Sequence, residues 1–104
     1  MAEGDNYVIG LNEVAVNIQI SQNLTEIYAF WMGEGLASRY ILEGKLLSGK
    51  EAVTAGLVDE LTPLDQVVER AEKQMKGYLK ADQKILKNTK CKIRKHLLEK
   101  LDLQ

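Results

Sequence analysis

Two hydrophobic rhythms run along the chain, a period of two near its start and a helical period of about 3.6 from Leu24 onward. Tyr7-Val8-Ile9 before Gly10 reads as a short strand. Val14, Val16, Ile18 and Ile20 then alternate with Ala15, Asn17 and Gln19, and this β-branched run predicts a half-buried strand over 14–20. Leu24, Ile27, Tyr28 and Trp31 share one face of a helix over 24–32, opened by Asn23 with Glu26 as a capping pair and broken by Gly33 and Gly35. A second helix, about 36–43, carries Leu36, Tyr40 and Ile41 and stops at Gly44. Ser48-Gly49-Lys50-Glu51 has the form of a capping box. It opens a short helix that ends at Gly56, with Leu57 and Val58 folding back on its last turn.

The last third reads as two long amphipathic helices. Thr62 is placed to cap and Pro63 to take the first position of a helix over 63–79. Its stripe of Leu64, Val67, Val68, Ala71, Met75, Tyr78 and Leu79 should be buried along its length. Asp82 caps a terminal helix over 83–102, with Leu86, Ile93, Leu97 and Leu101 on one face and Lys and Arg on the other. The fold class is therefore mostly α with a short β segment, in one domain. Residues 1–21 form the β segment, 22–61 the helices and the Gly-Leu-Val-Asp connection, and 62–104 the amphipathic pair.

Composition narrows the class. With 104 residues, 45% hydrophobic and 28% charged, the chain has the make-up of one folded domain, not of a disordered segment. The longest apolar run, Ile27 to Met32, is too short to span a bilayer, so no membrane partner is expected. The single Cys91 leaves no disulfide framework and fits a reducing compartment, with the cytoplasm as the default. Charge is segregated. Residues 1–72 carry twelve acids against four bases, net −8, and residues 73–104 carry ten bases against three acids, net +7. No aromatic residues interleave with the basic run, so a nucleic-acid partner is not expected either. His96 and Cys91 lack the paired spacing of a metal site, and no metal is expected.

Two phrases carry a resemblance. Ile9-Gly10-Leu11-Asn12-Glu13-Val14 is followed, in order, by Ser48-Gly49-Lys50-Glu51-Ala52 and Ala55-Gly56-Leu57-Val58-Asp59. Together they resemble the crotonase superfamily of acyl-CoA enzymes, and in wording they are most similar to the Δ3,Δ2-enoyl-CoA isomerases. The family's Gly-Ile-x-x-Pro is replaced here by Asn17-Ile18-Gln19-Ile20-Ser21, and the double glycine of the hydratases is missing. The missing double glycine favours the isomerase-like branch.

The resemblance implies the C-terminal half of a crotonase-like α/β fold, without the N-terminal β-spiral half. For residues 7–20 it implies a strand at 7–9, a helical turn carrying Glu13 and an extended exit, against the strand that the β-branched residues favour. It makes Glu13 the catalytic acid/base and acyl-CoA the substrate, with no separate cofactor. Moving a double bond from the 3 to the 2 position takes a proton from C2 and returns it at C4, and one carboxylate on a mobile side chain can do both. The same chemistry needs two N–H donors for the thioester oxygen, and the resemblance puts these ahead of Glu13. Lys90, in the Asn88-Thr89-Lys90 phrase, is a weaker candidate for a CoA phosphate.

Two functions follow as expectations. The first is an assembly module, inactive alone, in which the uncovered faces Val14–Ile20 and Ile27–Trp31 drive a homodimer or higher homo-oligomer, with 14–20 strands pairing across subunits. The second is an enoyl-CoA isomerase or hydratase that works when a separate crotonase N-terminal half completes it.

Overall fold

Two glycines frame the molecule, each where another chain segment leaves no room for a side chain. The computed structural model describes residues 1–101. Strand β1 (Val8–Gly10) pairs antiparallel with β2 (Leu46–Ser48), Ile9 opposite Leu47 and Gly10 opposite Leu46. A Cβ on Gly10 would strike the Lys45 carbonyl oxygen, so the strands close only over glycine. Gly44 takes a left-handed φ of 62°, and a Cβ there would lie 2.6 Å from the Ala15 side chain.

The strand predicted over 14–20 does not form. Glu13–Val16 is instead a 3-10 turn, closed by Asn17 in the left-handed region at φ 60°. The Ile18 amide donates to the Glu13 carbonyl at 2.8 Å. The segment closes hydrogen bonds within itself instead, the Ala15, Asn17 and Ile18 amides donating to the Asn12, Val14 and Glu13 carbonyls. The turn satisfies its own backbone and wins over β-propensity. This is the turn and exit that the family resemblance implies. The expected pairing of 14–20 strands across subunits loses its basis.

Helices make up the rest. In α1 (Gln22–Met32) the cap is Ser21 and not Asn23, its hydroxyl accepting from the Leu24 amide at 3.2 Å. Gly33, at φ 86°, turns the chain into α2 (Glu34–Glu43), which ends at Gly44 as expected. α3 (Gly49–Ala55) has the full capping box. The Ser48 hydroxyl accepts from the Glu51 amide, and the Ser48 amide donates to the Glu51 carboxylate. Lys45 pairs with that carboxylate at 2.8 Å, and its hydrogen bond, ahead of the Ser48 amide, holds the Glu51 carboxyl below its usual range. Gly56 closes α3 in the left-handed form, and the Leu57 and Val58 amides fold back on the Ala52 carbonyl.

Further on, the boundaries shift. Thr62 is occupied in a parallel bridge to Ala2, with its amide donating to the Met1 carbonyl, and does not cap a helix. Pro63 is extended at ψ 142°, Leu64–Gln66 forms a 3-10 turn, and α4 runs only over Val67–Leu79. Glu60 grips Arg70 through two contacts, at 2.6 and 3.1 Å, and ties α4 to the connection. Asp82 caps α5 (Gln83–Ile93) as expected, its carboxylate accepting from the Ile85 amide. The predicted terminal helix breaks at Arg94, and α6 (Lys95–Lys100) follows. The break has a tertiary cause. The Arg94 guanidinium lies over Phe30 and Trp31, 5.9 and 5.7 Å from the ring centres, and the bend lays α6 along α1. Residue 102, the expected end of that helix, lies outside the described residues.

Packing is thin. Tyr28, Ala37, Ile41, Leu47 and Ala52 form the buried core, with Leu11, Ile20, Tyr40, Leu57 and Val58 against it. Twenty large hydrophobic side chains among the described residues stay exposed. The stripe of α4 that was expected to be buried is among them, with Val68 at 70% exposure. Accessible surface totals 7988 Å², against about 5,900 Å² for a compact monomer of this mass. The chain is more open than a compact monomer of its mass, and exposed apolar side chains contribute to that surface.

Gly44→Ala should destabilise the fold by roughly 1–3 kcal/mol, since it combines a left-handed backbone with a clash against Ala15. Gly77→Ala, with open space around it in α4, should stabilise by about 1 kcal/mol. Urea unfolding of the two variants beside the parent checks both signs.

Candidate active site

Glu13 opens a turn that is pinned at both ends. Ahead of it, Gly10 is locked to Leu46 in the β ladder and Leu11 packs on the core. Behind it, Ala15 sits against Gly44 at the end of α2. The Asn12 carbonyl accepts from the Ala15 amide at 3.0 Å. The backbone of Glu13 is therefore fixed while its side chain keeps its own torsions.

That side chain is half-buried, and its Oε2 is buried with no hydrogen-bond partner among the described residues. The Tyr28 hydroxyl, on α1, is in the same condition. Burial pushes the Tyr28 phenol above its ordinary value, and Tyr40 and then Glu13 push it further. An unpartnered buried carboxylate oxygen destabilises a fold by about 1–3 kcal/mol or more. Such a group asks for an explanation, and a chemical role is one. A carboxylate so placed can accept a proton from a carbon brought against it and give it back.

The other expected residues lie apart from this turn. Lys90 is exposed in the last turn of α5, which packs on α6, whereas the Glu13 turn packs on α2. His96 faces solvent, 3.8 Å from Glu99, and Cys91 is exposed and unbonded. Among the described residues no three His, Cys, Asp or Glu side chains gather as for a metal ion. No helix of the described chain is long and apolar enough to cross a membrane. A cleft of about 500 Å³ between α1, α2 and α6 is lined by Phe30, Ala37, Ile41 and Leu97, with Glu26 and Lys100 at its edge, and Glu13 is not part of it.

Sequence reasoning passed over Tyr28, taking it as one more apolar position on α1. The signal was available: a tyrosine on a buried stripe brings a hydroxyl that must find a partner.

A two-stranded β frame, a pinned turn presenting a carboxylate and a capping box ahead of Gly56 define the class. The chain belongs to the enoyl-CoA hydratase/isomerase family, whose model matches residues 1–104. Mouse and rat proteins named mitochondrial enoyl-CoA delta isomerase 1 are each 34% identical to it over 101 residues, covering 97% of this chain and 35% of theirs. An Escherichia coli K12 protein named 2,3-dehydroadipyl-CoA hydratase is 32% identical over 68 residues, 65% of this chain and 27% of its own. The crystal structure of human mitochondrial delta3-delta2-enoyl-CoA isomerase superposes with a TM-score of 0.86 at 28% identity, covering 93% of this chain and 38% of that one. The fold is thus a mostly helical part of the crotonase-type fold. The chain spans about a third of the length of the rodent relatives.

Glu13→Gln removes the charge but leaves a buried polar group of the same size, so folding stability should change by less than about 1 kcal/mol. Urea denaturation of the two proteins side by side checks this. A clear loss of stability would mark Glu13 as a structural residue.

Proposed function

We propose that these 104 residues are the C-terminal part of a crotonase-type acyl-CoA enzyme, self-associating through their helical faces and without turnover on their own. Glu13 is the acid/base of the reaction class and acyl-CoA the substrate class. The observation that carries the reading is the unpartnered Glu13 oxygen on its pinned turn, in a chain that matches isomerases along nearly all its length. Shifting the double bond places negative charge on the thioester oxygen. Each missing N–H donor there lowers the rate by ~10²–10³. By the resemblance, those donors precede Glu13.

Self-association is supported by the exposed stripe of α4 and by Val14, Val16 and Ile18 around the Glu13 turn. An uncovered apolar surface of this extent favours a homodimer or higher homo-oligomer. Segregated charge favours it too, because the acidic body of one copy attracts the basic helices of another. The relatives' length favours a second reading. An enoyl-CoA isomerase would arise from Glu13 when a partner supplies the remainder of the fold, with Lys90 as the weaker candidate for a CoA phosphate. The single exposed Cys91 fits a reducing compartment, either the expected cytoplasm or the mitochondrial setting in the rodent relatives' names.

The 104-residue protein, followed by absorbance of conjugated enoyl-CoA, should show no turnover with short or medium 3-enoyl-CoA substrates. Turnover in the isolated protein that is lost in Glu13→Gln would overturn the inactive reading and leave the enzyme. Light scattering at micromolar concentration should give a multiple of the 11.7 kDa chain mass. A monomer mass would refute self-association.

A further inference from the structure

α4 stands almost bare in water. Every residue from Val68 to Leu79 is exposed, and the Glu60–Arg70 pair ties the helix to the body. A helix of this length is marginal alone in water, and in proteins most helical stability comes from packing an apolar face. That face is patterned. Leu64, Val68, Ala71, Met75 and Tyr78 follow one another at steps of four, three, four and three residues, the spacing of a seam between two helices. Charge along the helix is patterned as well. Asp65, Glu69 and Glu72 fill its first half, and Lys73, Lys76 and Lys80 its second. Arg70, the one base in the first half, is held by Glu60.

We propose that α4 pairs antiparallel with α4 of a second copy of the chain, about a two-fold axis near Lys73. This rests on the reading that the chain self-associates, and it names the surface that does so. A parallel pair would set acids beside acids and lysines beside lysines. The antiparallel pair sets each acidic half along a basic half. Asp65, Glu69 and Glu72 come within one residue of the levels of Lys80, Lys76 and Lys73 of the second copy. The same register sets Val68 against Tyr78, and Ala71 against Met75, of the second copy, a smaller side chain facing a larger one at each level. What the face asks of a partner, the same face supplies. That self-complementarity is the condition for a two-fold interface.

The test is distance measurement between nitroxide labels by pulsed electron paramagnetic resonance on the full chain. Gln66→Cys, Lys73→Cys and Lys80→Cys, each in a Cys91→Ser background, carry the label at positions off the seam. In the antiparallel pair the two copies of residue 73 lie level, while those of 66 and of 80 are offset by about 21 Å along the helix axis. The distance between labels should therefore be shortest at 73 and clearly longer at 66 and 80. Equal distances at the three sites, as in a parallel pair, or any other order, overturn the proposal. Val68→Lys places a charge on the seam and should return the mass by light scattering to that of one chain, with helix content by circular dichroism kept. Leu42→Lys, on α2 at a side chain as exposed as Val68, should leave association intact. If Val68→Lys fails to fold, the label distances decide alone. A folded Val68→Lys protein that still associates overturns the α4 seam and leaves self-association standing. A wild type of single-chain mass at every concentration refutes both, and leaves α4 to the rest of a crotonase-type fold.

Discussion

Apolar surface that the chain cannot cover by itself is the constraint on which the rest of the structure depends. Among the described residues five hydrophobic side chains are buried and twenty large ones are exposed, in a sequence that is 45% hydrophobic. The radius of gyration is 15.7 Å, against about 13 Å for a compact domain of this length. The molecule is a small closed body with helices projecting from it. The body holds because its contacts are short-range and exact in fit: a three-residue ladder, a capping box and glycines where chains cross. The projecting helices hold through local capping and a few anchors, Glu60 with Arg70, Arg94 over Phe30 and Trp31, and Lys100 near Glu26. Exposed anchors of this kind stabilise weakly. Coverage by another surface is the stronger term available.

The same division explains what the sequence made legible. Gly44, Gly56, Asp82 and the box from Ser48 to Glu51 act within a few residues of themselves, and each does in the structure what its local pattern implies. The errors lie where distant contacts decide. Val14 to Ile20 has a strand's composition but closes its hydrogen bonds within a local turn. Thr62 has a cap's chemistry but is taken by the segment around Ala2. Helical periodicity runs through Arg94, yet the aromatic pair on α1 bends the chain there. The stripe of α4 is real as a pattern. Amphipathicity shows that a face wants burial, not that this chain buries it.

The turn that carries Glu13 was legible through the Gly-Leu-Asn-Glu phrase, with glycine where β1 meets β2 and a carboxylate on the turn beyond. Tyr28 was not. Its spacing is that of any core residue, and only its buried, unpartnered hydroxyl separates it from a leucine.

We propose that covering the apolar faces of α4 and of the Glu13 turn stabilises the folded state of these residues. Urea unfolding over about a hundredfold range of protein concentration tests it most directly, since association of folded chains adds stability by mass action. The midpoint should climb steadily with concentration. A midpoint independent of concentration, with a single sharp transition, would contradict it and show that the small core holds the fold alone.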